Sequence, residues 1–199
     1  MCGIAGVIGP FDNTVLQEQI NRMVSSMVHR GPDSGGFYIN ENIALGHRRL
    51  AIIDLNQNAN QPFFDVSKRY SLVFNGEIYN FSDIKLELTD YCFKTNSDTE
   101  VILAAYIKWG FHCLQRFNGM FAFALWDNLE KQLFIARDRL GVKPLYYYHG
   151  HDIFIFASEI RAIKGSGTIN LTVNRNSITD YLLNLSISAP HTLFEQTSS

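Results

Sequence analysis

A chain of 199 residues and 22.7 kDa suits one generous domain, because two separate cores would be cramped at this length. Apolar residues at 46% and aromatic residues at 13% exclude intrinsic disorder, and charged residues at 18% fall below the usual quarter or so, as a surface partly covered by another domain would. A net charge of −2 with no basic block excludes a nucleic-acid or anionic-membrane footprint, and no apolar stretch approaches the ~18 residues needed to cross a bilayer. Small ligands are therefore expected. Cys2, Cys92 and Cys113 are three cysteines at no metal-like spacing, and the start of the chain lacks a signal-peptide pattern, which together predict a reducing, cytoplasmic setting without disulfides or metal.

In chain order, residues 2–9 are apolar and glycine-punctuated, as in a buried strand where backbones approach closely. Leu16, Ile20, Met23, Val24 and Met27 recur at helical spacing and predict a helix over 14–28, ended by Gly31 and Pro32. Residues 36–40 and 43–50 read as two strands, and the Asn- and Gln-rich stretch 54–60 reads as a mobile loop, a candidate lid. A strand over 70–74 runs into Asn75-Gly76-Glu77, and a second amphipathic helix carries Val101, Ile102, Ala105, Tyr106 and Trp109.

Apolar runs at 121–126, 133–136, 145–148 and 153–157 follow, joined partly by connections short enough to demand hairpins. These strands barely alternate between apolar and polar residues, so both faces of each sheet must be covered. Antiparallel sheets stacked on each other with helices outside satisfy that requirement, which predicts an α+β fold, a four-layer α-β-β-α sandwich. A last helix holds Ile178, Tyr181, Leu182 and Leu185, giving a domain over 2–185, with 186–199 read as the start of a linker.

Cys2 becomes the first residue if Met1 is removed, and a thiol then shares a residue with a free α-amine of pKa near 7.7–8.0, a self-contained nucleophile and base. The same position also suits a buried structural cysteine. Asn75 and the Gly76 N–H are candidate donors to an oxyanion, although Asn-Gly is equally a favoured hairpin turn. Arg49 is a fork donor suited to a carboxylate, or else a solvated strand-edge cation. Asp98 can hold an ammonium group while Ser97-Asp98-Thr99-Glu100 serves as a capping box. His149 and His151 lie in a turn with no third ligand, and no metal site is assigned to them.

Met1-Cys2-Gly3-Ile4-Ala5-Gly6, His29-Arg30-Gly31-Pro32-Asp33-Ser34, His47-Arg48-Arg49-Leu50, Asn75-Gly76-Glu77-Ile78-Tyr79-Asn80, Ser97-Asp98, Phe117-Asn118-Gly119-Met120, Arg137-Asp138-Arg139-Leu140-Gly141 and Ala157-Ser158-Glu159 stand in this order. The set resembles the class II, N-terminal-nucleophile glutamine amidotransferases, and among them the glutaminase domains of asparagine synthetases. The resemblance implies that Cys2 attacks the side-chain amide of glutamine, with Asn75 and Gly76 forming the oxyanion hole. It further implies that Arg49, with the backbone of Leu50, Ile52 and Ile53, binds the α-carboxylate, while Glu77 and Asp98 receive the α-ammonium. Residues 30–33 and 137–147 are implied to support the pocket.

Family members of this kind carry a second, ATP-dependent synthetase domain. ATP and Mg²⁺ belong there, and no cofactor is expected in this chain, whose expected partners are glutamine and that C-terminal domain, with a homodimer left open. An acceptor other than aspartate, such as a sugar or peptide carboxylate, and a non-catalytic docking module are the alternative readings.

Overall fold

A computed structural model describes residues 1–51 and 57–199. The first sheet has the strand order β2-β3-β1-β9-β8, built from β1 (Gly3–Ile8), β2 (Ser34–Asn40), β3 (Ile43–Arg49), β8 (Tyr146–His149) and β9 (Phe154–Ala157). The second has the order β4-β5-β6-β7, built from β4 (Phe63–Phe64), β5 (Tyr70–Ile78), β6 (Gly119–Asp127) and β7 (Gln132–Arg137). Every pairing is antiparallel, as the short connections require. Helices α1 (Asn13–Ser26) and α4 (Ile160–Gly165) are associated with the first sheet, and α2 (Phe81–Glu87) and α3 (Asp98–Trp109) with the second; α5 (Arg175–Asn184) comes last.

Three apolar cores lie between four layers, and the side-chain alternation of each strand decides which core a residue joins. In β1, Ala5 and Val7 meet Leu16, Ile20 and Met23 of α1, whereas Ile4 belongs to the inter-sheet core. In β6, Phe121, Phe123 and Leu125 pack under α3, and Ala122, Ala124 and Trp126 face the other sheet. The inter-sheet core also takes Ile43 and Leu45 of β3, Val73 of β5 and Phe156 of β9. This arrangement is the α-β-β-α sandwich, and it explains why the strands hardly alternate in hydrophobicity: both faces are buried.

The first helix runs 13–26, with Asp12 accepting from the Val15 N–H at 2.9 Å as its N-cap. Two short helices, α2 and α4, carry too few apolar repeats to register as periodicity. The capping box at 97–100 forms only by half: the Ser97 hydroxyl accepts from the Thr99 N–H, but Glu100 turns back to the N–H groups of Lys94 and Thr95 and to the Thr95 hydroxyl. Thr95 Oγ1 takes the Ser97 N–H instead, at 3.2 Å. Of the expected loop over 54–60, residues 54–56 lie outside the described residues, and Gln57–Ala59 form a 3₁₀ turn with Ala59 buried. Residues 186–199 run back over the domain, where Ser198 exchanges two backbone hydrogen bonds with Tyr147 and Thr192 and Thr197 are buried.

The closeness of α1 to the first sheet depends on Gly46. A Cβ there would collide with Val24 Cγ2 and come within 2.9 Å of Ile20 Cδ1. Gly46→Ala is expected to destabilise the domain by about 1–3 kcal/mol through overpacking, read as a lower denaturant midpoint with an unchanged m-value.

Candidate active site

The register of β1 against β3 pairs Gly3 with Arg48, which brings residue 2 to the C-terminal end of β3. There the Cys2 thiol donates to the Leu50 carbonyl at 3.6 Å, and its sulfur accepts from the Leu50 N–H at 3.4 Å. The 48–51 segment is itself anchored to residues 31–33. The Arg48 Nε donates to the Gly31 carbonyl at 2.9 Å, the Asp33 N–H donates to the Arg49 carbonyl at 3.1 Å, and the Ala51 N–H donates to Asp33 Oδ2 at 2.8 Å.

A hydrogen bond ties the two sheets together beside this point: His47 Nε2 donates to the Phe74 carbonyl at 3.0 Å. His47 is fully buried, and desolvation outweighs the carbonyl and pushes its pKa down to about 3, with Arg49 and Arg48 adding to the effect. The ring is therefore neutral with its proton on Nε2, the tautomer the bond requires.

A cavity of about 270 Å³ lies between the ends of β1, β3 and β5, lined by Cys2, Arg49, Leu50, Asn75, Gly76 and Asp98 among others. Pockets for drug-sized molecules start near 300 Å³, so this one suits a smaller ligand. Glu77 lines it too. Seven of the nine expected site residues thus share one cavity, and Ile52 and Ile53 fall outside the described residues.

Asn75-Gly76-Glu77 is not a turn. All three residues sit within β5, opposite Ala122, Phe121 and Met120 of β6. Phe121, across from Gly76, gives its own N–H to Asp138 Oδ2 and its carbonyl to the Asp138 N–H, so it offers Gly76 nothing. The Gly76 N–H consequently points to the other edge of β5, the edge where the Phe74 N–H meets Gln61 Oε1 at 2.6 Å and the Ile78 N–H meets Asp98 Oδ2 at 3.1 Å. Only glycine fits at 76, since a Cβ would strike the Met120 carbonyl and lie 2.7 Å from Phe121 Cα. Asn75 is 1% exposed, and its Nδ2 has no acceptor among the described residues, a deficit that costs roughly 1–3 kcal/mol in a folded protein.

Arg49 is buried, with Nη1 donating to Asn60 Oδ1 at 2.7 Å. Asp98 opens α3 and is 4% exposed; burial raises its pKa to about 6 despite the Ile78 and Thr99 N–H groups, and Glu77 adds to the rise. Burial also raises the pKa of the Cys2 thiol, more than the Leu50 N–H, the chain's amino terminus and Arg49 lower it. At neutral pH the sulfur is protonated and needs a base to react.

The sequence reading missed several residues that line or brace the site. Gln61 braces the open edge of β5 through Oε1 and gives Nε2 to Thr99 Oγ1 at 3.2 Å, and Asn60 holds Arg49. Both sit in or beside a stretch whose polar composition reads as loop. Lys143 lines the cavity although only 6% exposed. Its position is fixed by backbone: its N–H donates to Asp138 Oδ2 at 3.0 Å and its carbonyl accepts from Arg137 Nε at 2.7 Å. Among the described residues no three His, Cys, Asp or Glu side chains gather as a metal-binding group.

A family model described as a glutamine amidotransferase domain matches residues 1–199. A putative glutamine-hydrolysing asparagine synthetase of Methanocaldococcus jannaschii is 40% identical over 99% of this chain and 42% of its own length. Asparagine synthetase B of Escherichia coli is 43% identical over 82% of the chain and 30% of its own length. The chain thus spans well under half of either relative. The solved structure of glutamine phosphoribosylpyrophosphate amidotransferase from B. subtilis superposes with a TM-score of 0.68 at 22% identity, over 83% of this chain and 44% of that one, which establishes a shared fold. The chain belongs to the glutamine amidotransferase domain family, within the class II enzymes and beside the glutamine-hydrolysing asparagine synthetases.

Proposed function

We propose that this domain hydrolyses glutamine with Cys2 as nucleophile once Met1 has been removed. The observation that carries the reading is the buried Asn75 Nδ2, a donor without an acceptor in the cavity that also holds the Cys2 thiol. An oxyanion hole needs such a donor before its ligand arrives. The N–H of Gly76, which lines the same cavity, is the second.

In this mechanism the free α-amine of Cys2 takes the thiol proton, and sulfur adds to the side-chain carbonyl carbon of glutamine. Asn75 Nδ2 and the Gly76 N–H hold the resulting oxyanion, a role worth about 3–4 kcal/mol of barrier per donor. The α-ammonium then protonates the departing nitrogen, the C–N bond breaks, and ammonia leaves a γ-glutamyl thioester. Water, deprotonated by the same amine, adds to the thioester; sulfur departs, regains its proton and releases glutamate. Arg49 receives the substrate α-carboxylate as a fork donor, and Asp98 with Glu77 receives the α-ammonium.

The names and lengths of the relatives support a further step, transfer of the ammonia to a C-terminal synthetase domain that uses ATP and Mg²⁺ to convert aspartate to asparagine. The burial of Cys2, Asn75 and Asp98 within one small cavity disfavours a docking module with no chemistry.

Cys2→Ala is expected to keep the fold and release no ammonia from glutamine, and protein retaining Met1 by mass spectrometry should be equally inert; turnover by either would remove the assignment. Asn75→Ala should lower kcat by about 10²–10³-fold with a smaller change in KM, because the lost bond forms chiefly in the transition state. Arg49→Lys keeps charge but loses the fork, and a KM for glutamine within twofold of wild type, where about tenfold or more is expected, would return Arg49 to a structural role.

Asp98 gives a pH test with a definite sign. Its folded pKa of about 6 lies above the ordinary value near 3.9, so between those values the folded state binds the extra proton and stability falls as pH rises. Asp98→Asn carries no titrating group, so its stability should gain on wild type steadily from about pH 4 to pH 6 in denaturant melts. The wild-type KM for glutamine should meanwhile rise as pH falls below about 6, when the carboxylate becomes neutral, and the variant's KM should be high at every pH.

A further inference from the structure

The β1–β9 ladder ends at Ala5↔Ala157, but the chain goes on bracing the start of β1. The Ser158 N–H donates to the Ile4 carbonyl at 2.9 Å, and the Ile4 N–H donates to Ser158 Oγ at 3.0 Å. Glu159 follows. Its Oε1 accepts from Arg30 Nη1 at 3.1 Å and faces His29 Nε2 at 2.8 Å, and its Oε2 is ion-paired with Arg161 Nε at 3.0 Å. Arg30 then reaches past Gly3 and donates Nε to the Cys2 backbone carbonyl at 2.8 Å.

The three basic side chains on Glu159 are unequal. Side-chain exposure is 49% for His29 and 65% for Arg161, and ion pairs this open contribute little. The Arg30 side chain is 9% exposed, and its Nη2 is buried without an acceptor among the described residues. A clamp serving only the fold gains nothing from an unmet guanidinium nitrogen, which carries a cost. Cys2 also has unusual need of support. Once it is the first residue, no peptide bond precedes it, and the residue after it is a glycine with no side chain to restrain it. Its carbonyl is the backbone handle left, and Arg30 holds it.

We propose that Glu159 is a positioning residue for Cys2, acting through Arg30: the carboxylate fixes the guanidinium, and the guanidinium fixes the carbonyl so that thiol and amine face the cavity. The proposal rests on the reading of Cys2 as nucleophile. Glu159 is ionised for this role at neutral pH. Burial pushes its pKa up, but the bonds from His29 and Arg30 more than offset that and hold it below the usual glutamate value.

The test uses Met1-processed wild type, Glu159→Ala, Glu159→Gln and Arg30→Lys, with two readouts. The first is glutamine hydrolysis. Glu159→Ala should lower kcat by about 10–100-fold, the cost of a misplaced reacting group, with KM within about threefold, and Glu159→Gln, which keeps an oxygen for Arg30, should recover most of the loss. The second is alkylation by iodoacetamide followed by mass spectrometry. Cys2 should react about fivefold or more faster in Glu159→Ala and Arg30→Lys as its seat loosens, while the fully buried Cys113 stays protected.

Unchanged kcat together with unchanged Cys2 alkylation would overturn the proposal. So would simultaneous exposure of Cys2 and Cys113, which would make the pair a general brace of the fold. If Glu159→Ala fails to fold, Arg30→Lys decides by the same criteria. Failure of wild type itself to release ammonia would instead defeat the nucleophile reading, and the alkylation pattern would still judge the seat.

Discussion

β1 is hydrogen-bonded along both edges, to β3 from Gly3↔Arg48 to Ile8↔Ile43 and to β9 from Ala5↔Ala157 to Ile8↔Phe154. Its register is therefore set twice. A slip of one residue would turn Ile4 toward α1 and Ala5 toward the second sheet, exchanging the contents of two cores at once. Because residue 2 lies immediately outside this doubly fixed segment, its position follows from the packing of the whole sandwich, and any group carried there gains the rigidity of a central strand.

The charges around that residue are arranged at some expense. Arg49, Asn75 and Asp98 are all nearly buried, and a carboxyl held near pKa 6 and an amide with an idle donor are both less stable than they would be in water. The surrounding cores supply the compensation. A ligand carrying an ammonium and an amide oxygen would satisfy Asp98 and Asn75 together, so its binding would relieve costs that folding had already incurred.

Much of this was legible in the sequence. Strands without alternation and connections too short for crossovers forced stacked antiparallel sheets with helices outside, and the spacing of Leu16, Ile20 and Met23 located α1. The ends of elements were less visible. Asn75-Gly76 has the composition of a turn, and only the pairing with Ala122 and Phe121 of β6 makes it strand. Gln61, Asn60 and Lys143 carry no local signal, since their roles come from segments far away in the chain: Gln61 meets Phe74 and Thr99, and Lys143 is placed by Asp138. The Glu159–Arg30–Cys2 relay spans 157 positions and is a property of the tertiary fold alone.

The far edge of β5 has a consequence for how the protein behaves in company. β4 covers that edge only at Ser71 and Leu72, and beyond it the backbone groups of Phe74 and Ile78 are occupied by Gln61, His47 and Asp98 side chains acting as substitutes for a neighbouring strand. A bare edge of this length would recruit strands from other copies of the chain and seed aggregates. Here the amide of Gly76 meets no acceptor among the described residues and lines a recess too small for a polypeptide to enter. A carbonyl docked there would stand in for the next strand of the sheet, so the surface feature that guards the protein against sticking to itself would also be the opening for a small guest.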